Sequence, residues 1–400
     1  MRFRARDGLR GSSARVLLCV AMGWGAVLAG CDADEDEPAA SVSAPAPEPR
    51  PVPVGPRPVA SRAAFDLAVR AAGAVLVWGE PAQRGGGVRA LALDGQGVVR
   101  GPERDVLAAG EPQGRGSRVA ELAASAGGGR LGVAWVLRDL DGELRVRATH
   151  GNDAATTFAP AVKLGKSETG SFDGRGRVAV AVSKSGLVDV LYRSGAGPCR
   201  AGQRDAQCAR FAHWQPKGAG RGLPLMVPEP CAPGVVGSLF REARWYFGVC
   251  SEGATTVYAI QFDPEYAHAE NVLAACTPEA LVPGPEGVLA LGRCDGDLRA
   301  VELREGGKQR TDVGSVERRA ACEEGKPVLT MVGAGQRARE LRLTGPLGAL
   351  EAWLPEAVAP PEARAVWTGR ALLVATPIAS EVALRRFECD GAQLIRTDRR

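Results

Sequence analysis

Cysteine is the residue type in this sequence with the clearest capacity for chemistry. The chain of 400 residues contains ten cysteines and only three histidines. No two cysteines have the Cys-x-x-Cys spacing that is typical of zinc sites, so we expect no metal site. Cys19 and Cys31 lie in the N-terminal segment. The other eight form an even set, which in an exported protein favours disulfides over reactive thiols: Cys199, Cys208, Cys231, Cys250, Cys276, Cys294, Cys322 and Cys389.

Cys31 lies between two segments of opposite character. Residues 1–15 carry five arginines against one acid, and residues 16–30 are uncharged. This run of 15 residues is shorter than the roughly 20 that span a bilayer as a helix, and the pattern is typical of a secretory signal peptide. The ending Leu-Ala-Gly-Cys resembles the lipobox of bacterial lipoproteins. The resemblance implies cleavage between Gly30 and Cys31 and lipidation of Cys31. A plain secretory signal that ends near a cysteine is the alternative.

The segment after Cys31 has the composition of a tether. Residues 32–37 contain five acids, and residues 38–61 alternate proline with small residues, which favours extended polyproline conformations. We therefore predict a signal peptide over 1–30, a lipidated and disordered tether over 31–62, and a folded domain over 63–400. A proline-rich recognition site for another protein is the alternative for this stretch.

The basic balance of the chain belongs to its signal peptide. The whole chain has a formal net charge of +4, and the signal alone carries five arginines and one acid, so the mature chain is near 4 − 4 = 0. Nucleic-acid binding therefore has no electrostatic support. We expect a monomer that contacts a bacterial membrane through the lipid on Cys31 and an envelope protein or glycan that the sequence does not identify.

From Ala63 onward one pattern recurs: an apolar strand, a short polar or glycine turn, and further apolar strands. The repeats begin at Ala63, Val119, Gly176, Gly234, Glu279, Arg318 and Ala363. The second strands of the first three repeats end in Trp78, Trp135 and Tyr192, which are 57 positions apart (135 − 78 and 192 − 135). Small antiparallel sheets that cannot bury both faces alone predict an all-β fold, a β-propeller of about seven four-stranded blades. Tandem β-sandwiches are the alternative.

The repeats also predict how the cysteines pair. In an antiparallel hairpin the start of one strand lies beside the end of the next. The pairs Cys231–Cys250 and Cys276–Cys294 take these two places in the fourth and fifth repeats. Cys199 and Cys208 would close a polar loop. Elimination leaves Cys322 with Cys389, a bond between the sixth and seventh repeats.

One loop, in the stretch HGNDAATTFAP, resembles the Asp-box of sialidase-like propellers. That motif reads Ser-x-Asp-x-Gly-x-Thr followed by an aromatic residue, in the turn between the third and fourth strands of a blade. Asp153, Thr157 and Phe158 match it, whereas Gly151 and Ala155 replace the serine and the glycine. The resemblance implies that Asp153 accepts hydrogen bonds from amides of its own turn and that Phe158 packs into the blade. The motif lies away from the catalytic face of sialidases.

No catalytic constellation can be recognised in the chain. A Gly-x-Ser-x-Gly motif and the early Arg-Ile-Pro of sialidases are absent, and none of the four tyrosines has a recognisable nucleophile context. We therefore predict no catalytic residue, no cofactor, and a lipoprotein whose propeller acts in the cell envelope as a non-catalytic binding or scaffold domain. The alternative is a sialidase-like or other glycoside-processing enzyme. A retaining glycosidase would need two carboxylates about 5 Å apart.

We predict that Cys31→Ala abolishes lipidation, because the variant lacks the sulfur that would carry the lipid. Unlipidated precursor should then no longer partition with membranes as a mature lipoprotein does. Detergent phase partitioning of the wild type and the variant measures this, with Cys19→Ala inside the signal as the control. An identical, mature and soluble product from the wild type and Cys31→Ala would contradict the prediction.

Overall fold

A computed structural model describes the chain over residues 54–84, 87–106, 117–166, 176–194, 208–216, 221–226, 230–241, 244–251, 254–262, 265–334, 339–343 and 350–397. All of them belong to one compact unit, Arg50–Arg400. The predicted signal peptide, Cys31 and most of the predicted tether lie outside the described residues. The described part is built from strands, with three single-turn helices at Ala82–Arg84, Glu305–Gly307 and Glu351–Trp353. It contains no helix long and apolar enough to cross a bilayer.

The first strands of the chain form three four-stranded antiparallel sheets, preceded by the short strand β1 (Arg57–Pro58). Sheet I contains β2 (Phe65–Arg70), β3 (Gly73–Gly79), β4 (Val88–Leu93) and β5 (Arg104–Asp105). Sheet II contains β6 (Arg118–Gly127), β7 (Arg130–Arg138), β8 (Leu144–Asn152) and β9 (Val162–Lys166). Sheet III contains β10 (Val178–Val182), β11 (Val188–Arg193), β12 (Cys208–Trp214) and β13 (Arg221–Met226).

The second half of the chain forms three further sheets of four, six and five strands. Sheet IV contains β14 (Pro230–Arg241), β15 (Arg244–Ser251), β16 (Ala254–Phe262) and β17 (Glu265–Ala274). Sheet V contains β18 (Thr277–Pro283), β19 (Val288–Cys294), β20 (Asp297–Arg304), β21 (Gln309–Glu323), β22 (Lys326–Gly333) and β23 (Glu340–Arg342). Sheet VI contains β24 (Arg364–Trp367), β25 (Leu372–Ile378), β26 (Glu381–Asp390) and β27 (Gln393–Arg396), together with β1.

The second strands of the sheets, as far as their side chains are described, are largely apolar on both faces, which explains why no sheet can stand alone. In β3, Val75 and Val77 pack against sheet II. The alternate residues Leu76 and Trp78 pack against sheet VI. Since side chains of a strand alternate between its two faces, each sheet needs a neighbour on either side.

The sheets satisfy this requirement by closing into a ring. Six core clusters of the described residues join the sheets pairwise, I with II, II with III, III with IV, IV with V, V with VI, and VI with I. The first strands meet in succession, β24 with β2, β2 with β6, β6 with β10, β10 with β14, and β14 with β18. The fold is therefore a β-propeller, as predicted, and the alternative of tandem sandwiches is wrong.

The aromatic repeat marks equivalent positions in this ring. Trp78, Trp135 and Tyr192 are 1%, 0% and 7% exposed, and each packs against the preceding sheet. The spacing of 57 positions therefore marks equivalent packing residues in three successive blades.

The structure has six blades, not the predicted seven or so. The fifth and sixth sequence repeats share β21, a strand of 15 residues. Its first part, Gln309–Ser315, pairs with β20, and its second part, Val316–Glu323, pairs with β22. Because the strand continues from one repeat into the next, no sheet edge separates them, and sheet V has six strands.

The ring is closed by a strand that precedes the predicted domain start. In β1, Arg57 and Pro58 pair with Val382 and Glu381 of β26. Strands from the N-terminal and C-terminal parts of the described chain therefore share sheet VI. Val54 and Val59 are buried at the interface between sheets VI and I. Residues that we assigned to the tether therefore belong to the ring.

Two of the predicted disulfides are present. Cys276–Cys294 lies within sheet V, and Cys322–Cys389 joins sheet V to sheet VI. The disulfide Cys322–Cys389, which was predicted by elimination, therefore links two neighbouring sheets. Cys199 lies outside the described residues, and Cys208, Cys231 and Cys250 lie outside the described side chains, so the other two pairs stay predictions.

Buried carboxylates add polar links between neighbouring sheets. Glu121 of sheet II is 2% exposed. It accepts hydrogen bonds from the amides of Gly176 and Arg177 at 2.7 and 2.9 Å, at the entry to sheet III. Asp66 of sheet I accepts one from the amide of Ala124 in sheet II at 2.8 Å. A buried carboxylate is tolerated only with such partners, so these contacts fix how the sheets align.

We predict that Glu121→Ala destabilises the domain by about 3–5 kcal/mol, because it leaves buried amide donors and the Arg177 charge without their carboxylate. Glu317→Ala is the control, since the Glu317 side chain is 69% exposed and its ion pair is with the exposed Arg319 of the same strand. It should change the unfolding midpoint little. Urea unfolding followed by tryptophan fluorescence measures both, and equal midpoints would contradict the structural role of Glu121.

Candidate functional site

A groove opens where the β6–β7 turn meets the loop between β8 and β9. Its volume is about 350 Å³, and it is open to solvent. The groove is lined by Gly129, Arg130, His150, Gly151, Asn152, Thr157, Phe158 and Ala159. Its lining residues include part of the Asp-box-like turn.

The β6–β7 turn forms one wall because its glycines permit a tight reversal. Gly128 and Gly129 have φ values of +51° and +73°, a region that favours glycine. A Cβ on Gly128 would lie 2.3 Å from the amide nitrogen of Gly186, in the β10–β11 turn. The turns of sheets II and III therefore touch, and they leave Arg130 at the start of β7 beside the groove.

The opposite wall is a turn organised by Asn152. Its side-chain Oδ1 accepts hydrogen bonds from the amides of Thr156 and Thr157 at 2.9 and 3.3 Å. Its Nδ2 donates to the Thr156 hydroxyl at 2.6 Å. The prediction gave this amide-binding role to Asp153, so it is corrected by one residue. Asparagine can take the place of aspartate because its side-chain oxygen accepts the same amide hydrogen bonds.

Backbone contacts hold the base of the same turn. The Ala159 amide donates to the His150 carbonyl at 2.8 Å, and the Thr149 hydroxyl donates to the Ala159 carbonyl at 2.6 Å. Gly151 pairs with Phe158, whose ring would meet a Cβ on Gly151 at 2.8 Å. A glycine is therefore required where the motif has serine, because Phe158 folds back over it.

Ala155 takes the glycine place of the motif in the conformation that the motif needs. Its φ is +55°, in the left-handed region, and it is 2% exposed. The methyl group packs into the cluster between sheets I and II. Burial of this methyl offsets the cost of the left-handed backbone.

Arg130 and His150 lie side by side in the groove. Arg130 lies opposite Asn152 across the β7–β8 pair, and His150 lies opposite Gly132, so their side chains leave the same face of sheet II. Burial, and then the neighbouring Arg130 charge, lower the pKa of His150 below its usual range. The imidazole is therefore neutral at neutral pH, and Arg130 supplies the positive charge.

A smaller concavity of about 100 Å³ lies across the same turn, between sheets I and II. Its lining includes Arg100 and Arg104 and, from the turn, Ala154, Ala155 and Thr156. Arg100 is paired with Asp94 at 2.7 Å. Arg104 is exposed and offers a second arginine near the turn, but outside the groove.

The groove offers hydrogen-bond donors and an aromatic ring without an acid. Arg130, His150 and Thr157 carry polar side chains there, Phe158 is half-buried, and no carboxylate belongs to its lining. A retaining glycosidase reaction needs two carboxylates about 5 Å apart. The groove therefore has the chemistry of a binding site for a polar or anionic group.

The tyrosines that a sialidase-like reaction would use as nucleophiles serve packing where their side chains are described. The Tyr192 hydroxyl donates to the Leu164 carbonyl at 3.2 Å. Burial raises the pKa of Tyr192 and of Tyr258, which is opposite to the activation of a nucleophile. Tyr246 is 3% exposed in a core cluster, and the Tyr266 side chain lies outside those described.

Of the residues selected from the sequence, the structure brings Thr157 and Phe158 to the groove. Asp153 lies in the turn, where its amide donates to the Gly129 carbonyl at 3.2 Å. Arg130 and His150 were missed, although His150 begins the stretch that contains the motif. Neither residue has a local sequence signature. Only the register of β7 against β8 places Arg130 and His150 beside the turn.

Comparison with known proteins finds only remote structural likenesses. No protein-family model matches the chain, and no curated protein matches it in sequence. Solved structures that resemble it include the Dos1 propeller, with 9% identity, coverage of 82% of this chain and 94% of that chain, and a TM-score of 0.36. A fucose-specific lectin from Aleuria aurantia has 11% identity over 69% and 95% of the two chains, with a TM-score of 0.32.

A Trypanosoma rangeli sialidase is also similar, with 12% identity and a TM-score of 0.34. The match covers 74% of this chain and 56% of the sialidase chain, so this chain spans little more than half of that enzyme. Likenesses at this level carry no argument about activity or ligand. The β-propeller assignment follows from the closed order of the sheets.

We predict that Asn152→Ala loosens the β8–β9 turn more than Asp153→Ala does. The first variant loses the two amide bonds and the Thr156 contact, whereas the second leaves them in place. Loss of a turn-organising side chain should cost about 1 kcal/mol. Amide hydrogen exchange over residues 150–159 measures the difference, and faster exchange in Asp153→Ala than in Asn152→Ala would return the role to Asp153.

Proposed function

We propose that the protein is a lipid-anchored, extracytoplasmic lipoprotein whose propeller binds a glycan or protein of the bacterial cell envelope without catalysing a reaction on it. The observation that carries this proposal is the groove of sheet II, which combines donors and an aromatic ring with no carboxylate in its lining. Such a site can hold a polar ligand, but it lacks the acid–base pair that cleavage of a glycoside requires.

The extracytoplasmic location is supported by cysteine chemistry. Disulfides persist in oxidising compartments and are rare in the reducing cytosol, and the described part of this chain contains two. The secretory signal pattern in residues 1–30 agrees with them. Lipid anchoring rests on Cys31 and on the small residues that precede it.

The strand at which the predicted tether would join the ring lies in a different sheet from the groove. The tether would enter the ring through β1 at sheet VI, whereas the groove lies in sheet II, with sheet I between them. Residues 32–53 number 53 − 31 = 22. In a polyproline conformation they would reach roughly 70 Å, at about 3.1 Å per residue. A domain held in this way could meet a ligand beyond the membrane surface.

The alternative of a glycoside-processing enzyme has less support. The sequence feature that suggests an enzyme is the Asp-box-like turn. Hydrogen bonds to Asn152 and between backbone groups stabilise that turn, and these groups are structural. Many described carboxylates serve structure, such as Glu121 between sheets II and III and Glu351 beside Arg364. A non-catalytic domain accounts for both features.

The test compares binding with turnover in the chain from Asp32 onward, which contains the whole ring. We expect saturable binding to an isolated polysaccharide or protein fraction of the envelope, with no release of reducing sugar from glycosides. Asp153→Asn is the matched variant, because it removes the acid closest in sequence to the groove and should bind as the wild type does. Glycoside turnover by the wild type that is lost in an acid variant would contradict the proposal, as would absence of binding to every fraction.

A further inference from the structure

We propose that the groove of sheet II binds an oxyanion, a carboxylate or a phosphate, carried on the hydroxyl-bearing ring of an envelope saccharide, and that Arg130 pairs with this oxyanion. The inference rests on the proposed function, because it gives a ligand chemistry to that binding domain. The Asp-box resemblance does not imply it, since the motif is a structural turn.

The first argument is the charge of Arg130. Several arginines of the ring lie beside acids, as in Arg145 with Glu143 at 2.9 Å and Arg319 with Glu317 at 2.9 Å. Arg130 forms no ion pair with any described residue. Its neighbour in the groove is the neutral imidazole of His150, whose pKa is lowered by burial and by the Arg130 charge. A bound oxyanion would supply the negative charge that this pair lacks.

The second argument is the set of groups around Arg130. Thr157 is exposed and His150 is partly exposed, so both can hydrogen-bond to hydroxyl groups of a ligand. Phe158 is partly exposed and can cover an apolar ring face. A volume of about 350 Å³ accommodates about one or two sugar rings and is too small for an extended peptide. Charge, donors and an aromatic surface together favour an acidic saccharide.

The third argument is that the walls are already in place. The Asn152 bonds, the Thr149 bond to the Ala159 carbonyl and the close contact of Gly128 with Gly186 fix both turns without a ligand. A ligand would therefore order few residues on binding, and preorganised sites lose less affinity to entropy. Arg130, at the first position of β7, is exposed and would pair with the oxyanion.

The three histidines of the chain allow a direct test by NMR. We would label the imidazoles of the chain from Asp32 onward with ¹⁵N and titrate with D-glucuronate, glucose 6-phosphate and neutral glucose. His150 should shift with one or both anionic sugars and not with glucose, while His213 and His268, which line no part of the groove, stay constant. The preferred sugar identifies the source of the oxyanion as a carboxylate or a phosphate.

Arg130→Gln should weaken this binding at least about tenfold, as expected for loss of a charge-assisted pair. Arg104→Gln, across the turn in the second concavity, is the matched control and should bind as the wild type does. Equal weakening in both variants would show general attraction of anions to a basic surface and overturn the inference. No His150 shift, or the same shift with glucose, would also overturn it.

The same variants separate this inference from the proposed function. If wild type and Arg130→Gln bind an envelope fraction equally and His150 does not shift, the oxyanion site is wrong and the binding domain stands. If neither binds any fraction, the proposed function fails. Circular dichroism spectra of both arginine variants should match the wild type, since Arg130 is exposed and joins no core cluster.

Discussion

The fold depends on one constraint: the central strands of its sheets are apolar on both faces. In β3 and β7 alternate residues pack against different neighbouring sheets, so an isolated sheet would expose one apolar face to water. A stack of sheets would solve this for its inner members only. Closing the stack into a ring covers both faces of every sheet, and β1 completes the closure by pairing with β26.

The ring in turn determines where function can reside. Its interfaces use the strands, so ligand-facing groups must come from turns and loops at the strand ends. Charged residues that lie between sheets, such as Glu121 and Asp66, are held by backbone amides and arginines and align one sheet with the next. Arg130 lies at a strand end, where it forms no ion pair with a described residue, beside a turn that Asn152 keeps in shape. The framework of the ring thus places an exposed cation at the groove.

Local patterns were enough to predict the strands, the propeller class and the disulfides Cys276–Cys294 and Cys322–Cys389. The aromatic spacing succeeded because each of Trp78, Trp135 and Tyr192 faces the preceding sheet. The number of blades was missed because β21 runs through two repeats, and only strand pairing shows that no edge separates them. The amide-binding role was assigned to Asp153 instead of Asn152 because the two residues are adjacent and both have a side-chain oxygen that can accept these hydrogen bonds. Arg130 and His150 meet through register, which has no signature in the sequence.

The central claim is that this domain acts by binding a ligand at the strand ends of sheet II, and hydrogen exchange by mass spectrometry tests it most directly. The chain from Asp32 onward would be compared with and without the envelope fraction that it binds. The account predicts slower exchange in peptides that cover residues 127–132 and 150–159, with little change in the other hairpin turns. Protection confined to another blade, or none at saturation, would contradict it.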